Sequence, residues 1–172
     1  MEKRKFPLIN VALLSAIVII FITINKPGAP PDEQNCSYII GGEVIELTGG
    51  RSDIEIVEGA ASRQLTDFII SKGGGDLNLD GRGDSVVFLR QSSGGSGTFY
   101  YAAAALGSPK GCRGTNAVFL GDRIEPLDIS FDEDIIIITY RGRADGESFS
   151  EKPSLERMMR LQIKDGTLVE VF

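Results

Sequence analysis

No histidine occurs in the 172 residues. Its absence excludes Ser-His-Asp and Cys-His catalysis, and with them zinc sites built on imidazole. Cysteine is nearly as scarce, with only Cys36 and Cys112. In a reducing compartment these would be two buried thiols; in an oxidising one they can pair. Positive charge is lacking too, beyond the extreme N-terminus. From Lys26 onward 15 Lys and Arg stand against 23 Asp and Glu, a net of −8. So acidic a surface repels phosphate backbones, so nucleic acid is not an expected partner and cations are the natural ligands. No internal repeat is visible, which argues against a solenoid or a multi-bladed propeller.

What is present fits one folded domain with short accessories. Hydrophobic residues make up 42% and charged residues 24% of the chain, proportions of a globular protein. Twenty-one glycines and seven prolines imply many turns, as a chain of short strands requires.

Phe6 to Ile24 is apolar and uncharged, broken only by Pro7, Asn10, Ser15 and Thr23. As a helix these residues would reach roughly 28 Å, close to the hydrocarbon thickness of a bilayer. Lys3, Arg4 and Lys5 precede the segment and Lys26 follows it. Lys and Arg are held on the cytoplasmic side, so the short tail stays inside and the rest goes out. A cleaved signal peptide would end in small residues of A-x-A type. Here Asn25-Lys26-Pro27-Gly28-Ala29-Pro30-Pro31 follows instead, and Glu33-Gln34-Asn35 before Cys36 is no lipobox. The expectation is therefore a retained anchor, with cleavage as the alternative; both place the domain outside. Residues 1–5 read as a cytoplasmic tail, 6–24 as a transmembrane signal-anchor helix, 25–35 as a Pro-rich linker and 36–172 as an extracytoplasmic domain. Outside the cytoplasm, a Cys36–Cys112 disulfide becomes the expected state.

The domain reads as mainly β: one antiparallel unit, barrel-like or sandwich. Strands are predicted at 37–40, 43–47, 53–57, 86–91, 98–106, 116–120, 124–131, 135–140, 157–164 and 167–172. Gly41-Gly42 and Asp165-Gly166 are two-residue hairpin signals. In the penultimate strand Met159, Leu161 and Ile163 alternate with Arg160, Gln162 and Lys164, one face buried and one wet. Ala60–Ser71 fits either a helix or a strand. Ala102–Ala105 could prolong a helix, but Phe99-Tyr100-Tyr101 before it favours a strand.

One motif carries chemistry. Asp76-Leu77-Asn78-Leu79-Asp80-Gly81-Arg82-Gly83-Asp84 reads D-x-N-x-D-G-x-x-D. Calcium takes six to eight oxygen ligands, and alternate side chains of a curled loop can point at one centre. Asp76, Asn78, Asp80, the carbonyl of Arg82 and Asp84 would supply five, with waters or a distant residue completing the shell. An EF-hand is excluded, because position twelve is Val87 and Ser85–Leu89 is strand-like. The loop resembles the calcium loop of FG-GAP repeats over about fifteen residues, and implies a structural ion but not the propeller fold. The runs Gly94–Tyr101 and Gly114–Ile124 resemble a group of small exported bacterial β-proteins over most of residues 38–172. That resemblance implies a bacterial envelope setting, hence the inner membrane, and carries no activity.

Other motifs weigh less. Arg82-Gly83-Asp84 is an RGD tripeptide, but an Asp84 that ligates calcium is withheld from a receptor. Gly94-Gly95-Ser96-Gly97-Thr98 lacks the second glycine of G-x-S-x-G, and no histidine can act as base. Asp122 and Arg123 suit an ion pair at a strand end, and Asp132-Glu133-Asp134 a solvated turn. The function expected is thus a non-enzymatic envelope module, calcium-stabilised, that binds an envelope component or an exogenous protein. The competing expectation is a carboxylate-based glycan hydrolase with structural calcium, for which no acid pair is singled out.

Overall fold

The computed structural model describes residues 30–56, 59 and 61–172. The expected anchor at 6–24 lies outside these residues. Within them the chain is mainly β, built from antiparallel sheets, with one 3₁₀ turn at Glu33–Asn35 and no α-helix among the described residues. Twelve strands follow in order: β1 Ser37–Ile40, β2 Glu43–Glu46, β3 Arg51–Glu55, β4 Arg63–Gly75, β5 Asp84–Ser92, β6 Phe99–Ser108, β7 Gly111–Gly114, β8 Val118–Asp122, β9 Glu125–Asp132, β10 Ile135–Gly142, β11 Leu155–Lys164 and β12 Thr167–Glu170.

Three sheets form three layers. The middle one runs β3-β4-β5-β6-β7, with β8 taking over from β7 along the far edge of β6. A four-stranded sheet, β12-β11-β10-β9, covers one face, and the β1–β2 hairpin covers part of the other. In the middle sheet β5 over 84–89 and β6 over 102–107 have no wet face, which explains their composition. Val86, Phe88 and Ala102 point into a core with Ile129, Ile136, Ile138, Leu161 and Leu168. Val87, Leu89, Ala103 and Ala105 point the other way, against Cys36, Tyr38, Ile40, Ile45 and Leu47. A strand buried on both sides is an unbroken apolar run rather than an alternating one. Alternation returns in β10, where Ile136, Ile138 and Tyr140 are buried and their neighbours half-exposed. In β11 Leu161, Met159 and Ile163 face the core, as the alternation predicts.

The ambiguous stretch 60–71 falls largely in β4, the longest strand, which pairs with β3 and β5 at once. Register shifts at Phe68/Ile70 and Gly73/Gly75 break its alternation and hide its period from the sequence. β7 is not anticipated by any sequence signal. Its glycines suit the contact instead: a Cβ on Gly114 would lie 2.3 Å from the Ser37 carbonyl oxygen of β1.

Asp165 and Gly166 both take positive φ (52° and 73°), the backbone of a tight hairpin turn. The end of the expected linker is docked on the domain. Gly50 N–H donates to the Gln34 carbonyl at 2.8 Å, Gly49 N–H to Asn35 Oδ1 at 2.9 Å, and Tyr38 Oη to the Glu33 carbonyl at 2.9 Å. Residues 33–35 are therefore part of the folded domain. Cys36 and Cys112 are joined as a disulfide with Cα atoms 5.3 Å apart, across 76 residues of chain.

Candidate functional site

The motif forms the connection between β4 and β5. Gly75 ends one strand with φ +79°, and Asp84 opens the next. Between them the chain curls, with Leu79 at φ +60° and Gly81 at φ +85°. Leu79 is 89% exposed, so nothing packs on it and its left-handed backbone serves the curl alone.

The polar side chains of the loop turn inward and satisfy its own amides. Asp76 Oδ1 accepts Asp80 N–H at 2.9 Å, and Oδ2 accepts Gly81 N–H at 2.8 Å. Asn78 Oδ1 accepts the same Asp80 N–H at 3.1 Å. Asp80 Oδ1 accepts Arg82 N–H at 2.9 Å, and Oδ2 lies 3.3 Å from Arg82 Nη1. Such bonds from Asx oxygens to amides two to five residues on are why Asp and Asn dominate tight loops.

Asp84 differs from the others. It is 1% exposed, and it anchors both ends of the turn. Oδ2 accepts Leu77 N–H at 2.9 Å, while Oδ1 accepts Gly107 N–H of β6 at 3.0 Å. Burial pushes its carboxyl above the usual range, with the Asp80 carboxylate adding to the rise; the bonds from Gly107, Leu77 and Asn78 pull it back down. A buried carboxylate near another carboxylate is a group in want of positive charge. Leu77, the residue beside Asp76, is buried in the core and pins the loop from within. Gly74 lies close by: a Cβ there would come 2.7 Å from Leu77 and Phe131 side-chain atoms, which would have to shift.

Across a cleft of about 310 Å³ from Asp76 and Asn78 stand Glu133 and Asp134, at the turn between β9 and β10. The sequence marks that turn only as solvated. Its position beside the loop is set by the packing of two sheets, some fifty residues apart in the chain. Asp134 accepts a hydrogen bond from Gln162 Nε2. Glu133 takes φ +55°, in the two-residue turn with Asp134.

Donor chemistry in the loop fits a hard cation: three carboxylates, one amide oxygen and a carbonyl, in the order the motif demands. Fit in position is incomplete. Among the described residues no three His, Cys, Asp or Glu side chains converge on one point. Bringing Asp80 onto a shared ion would require it to leave Arg82.

Elsewhere the motifs take structural places. Gly83 and Asp84 are buried, so the RGD tripeptide is not presented to solvent. Asp122 Oδ1 accepts Thr98 N–H at 2.8 Å and lies 3.4 Å from Arg123 Nε. Arg123 and Arg143 cover Phe149 at 4.3 and 5.1 Å from its ring centroid, which fastens the segment between β10 and β11. Comparison with protein-family models, with curated proteins and with solved structures gave no match.

Proposed function

We propose that this chain is an extracytoplasmic calcium-stabilised β-domain, tethered to a membrane through residues 6–24, that serves as a non-enzymatic binding or structural module of the bacterial cell envelope. The observation that carries the ion reading is Asp84: a buried carboxylate, fixed at the base of a curled loop, with Asp80 nearby and only Arg82 to offset the charge. Asp76, Asn78, Asp80, the Arg82 carbonyl and Asp84 would hold calcium; Glu133 and Asp134 line the same cleft. The ion would neutralise the loop and fix it to the start of β5; no chemical step passes through it. The tether reading rests on the apolar, uncharged span and the basic residues before it.

Two measurements test the halves separately. Calcium titration by calorimetry should show one site on the wild type and none on Asp80→Ala; no heat from the wild type removes the ion reading. In membrane vesicles an added protease should reach the β-domain only from the outer face, and the N-terminus should be intact. A mature form beginning near Pro30 would replace the tether by a cleaved signal.

A further inference from the structure

We propose that the Cys36–Cys112 disulfide is a redox-gated lock on the loop Asp76–Gly83, acting through Gly107 on Asp84. The inference holds whether or not the loop carries an ion, because it concerns what keeps the loop closed.

The route is short and each link is a contact. Cys112 stands in β7, directly opposite Gly107 of β6. Gly107 N–H points away from β7 and donates to Asp84 Oδ1 at 3.0 Å. The other oxygen of Asp84 accepts Leu77 N–H at 2.9 Å and so holds the first turn of the loop. Strands touch at this point: a Cβ on Gly107 would lie 2.5 Å from the Gly83 carbonyl oxygen. Backbone of β6 and backbone of the loop thus lie against each other here, with no room for a side chain between them. β7 has only four residues and lies at the edge of its sheet, so its ladder alone is a weak hold. The disulfide ties it to Cys36, which is buried at 4% beneath the docked 32–35 segment. β7 is therefore stapled, and it backs the end of β6 at Gly107, one residue beyond the Asp84–Leu106 pair that closes the β5–β6 ladder.

Accessibility is asymmetric, which defines the chemistry. Cys36 is buried, whereas Cys112 is part-exposed on the edge strand. A dithiol reductant would attack Cys112 Sγ as its thiolate. The Cys36–Cys112 bond breaks, Cys36 leaves as a thiolate and takes up a proton. The second thiol of the reductant then attacks the mixed disulfide, and Cys112 leaves as a thiolate that is protonated in turn. The reductant departs as a cyclic disulfide, having delivered two electrons and two protons. With β7 released, Gly107 loses its fixed position and Asp84 loses one of its two amide donors. Of the core between the middle and four-stranded sheets the route touches only Leu77; Ile136, Ile138 and Leu161 should stay closed.

The test is amide hydrogen exchange on the full-length protein, oxidised and after dithiothreitol, with iodoacetamide to block the freed thiols. Exchange at Leu77 and Gly107 should quicken by about tenfold or more, the effect of losing one hydrogen bond to a carboxylate on a local opening. Ile136, Ile138 and Leu161 should keep their protection. A trypsin-type protease should then cut after Arg82 faster in the reduced protein. Gly107→Ala should open the same loop with the disulfide intact. Two results overturn the proposal: unchanged exchange at Leu77 and Gly107 after reduction, or loss of protection everywhere at once, which would make the bond a staple of the whole domain. Should Gly107→Ala fold and leave Leu77 protected, the route through Gly107 is wrong. If that variant does not fold, the reduction arm on the wild type still decides.

Discussion

The two faces of the middle sheet are held by different means. One face meets four strands, and its core is aliphatic bulk: Val86 and Phe88 against Ile136, Ile138, Leu161 and Leu168, all at 0 or 1% exposure. The other meets a hairpin of two four-residue strands. So small a cover buries little area, and a two-stranded hairpin alone is marginal in water. Its attachment relies on devices instead: the disulfide, the close approach at Gly114, the Tyr38 hydroxyl, and parallel bridging of Ile39 to Asn116. Area holds the first face, and specific contacts hold the second.

That contrast can be broken by mutation. Phe88→Ala should have the largest effect, destabilising the whole domain by about 3–5 kcal/mol through the cavity left in the aliphatic core. Chemical denaturation should show a single transition moved to lower denaturant. A two-step curve would mean that the two faces unfold independently.

Gly114→Ala should cost about 1–3 kcal/mol, because the new methyl meets the Ser37 carbonyl and the strands must part. The loss should appear first as faster hydrogen exchange in the hairpin. An unaltered hairpin with a weakened four-stranded sheet would show that the contact is assigned to the wrong face.

Tyr38→Phe should be the mildest, about 1 kcal/mol for the bond to the Glu33 carbonyl. Here pH sharpens the comparison. Burial raises the Tyr38 phenol well above its ordinary value of 10.0, with Glu33 and Asp32 adding to the rise. The neutral phenol is thus the form that the fold favours. Its contribution is intact below pH about 10 and is lost as pH climbs above that value. Alkaline melts of the wild type should fall more steeply than those of Tyr38→Phe. Parallel curves would remove Tyr38 as the source.

What was legible in the sequence follows the range of the forces involved. The loop is local: Asp76, Asn78, Asp80 and Asp84 sit in nine residues, and their hydrogen bonds to nearby amides need little from the rest of the chain. The turn at Asp165-Gly166 is local for the same reason. The strand at Ala102–Ala105 is half legible, since alanine prefers helices and only burial between two layers makes it the right size. β7 has no local cause; Gly111-Cys112-Arg113-Gly114 is a strand because β6 and the disulfide make it one. Asn116 is equally silent. Its Oδ1 accepts Leu168 N–H at 2.8 Å and its Nδ2 donates to the Leu168 carbonyl at 2.9 Å, a partnership 52 residues long. Glu133 and Asp134 reach the loop by the same kind of distant packing.

The central claim is that calcium in the Asp76–Asp84 loop stabilises the fold. A thermal melt in calcium and in chelator, on the wild type and on Asp80→Ala, tests it most directly. An ion at ~100 times its dissociation constant stabilises the native state by about 2.7 kcal/mol, and a site of ~10 μM affinity reaches that occupancy in millimolar calcium. The wild type should therefore melt several degrees lower in chelator. Asp80→Ala should be destabilised from the outset and indifferent to calcium. Identical melting of the wild type in both conditions would contradict the account and leave the loop as an acidic turn held by its own amides.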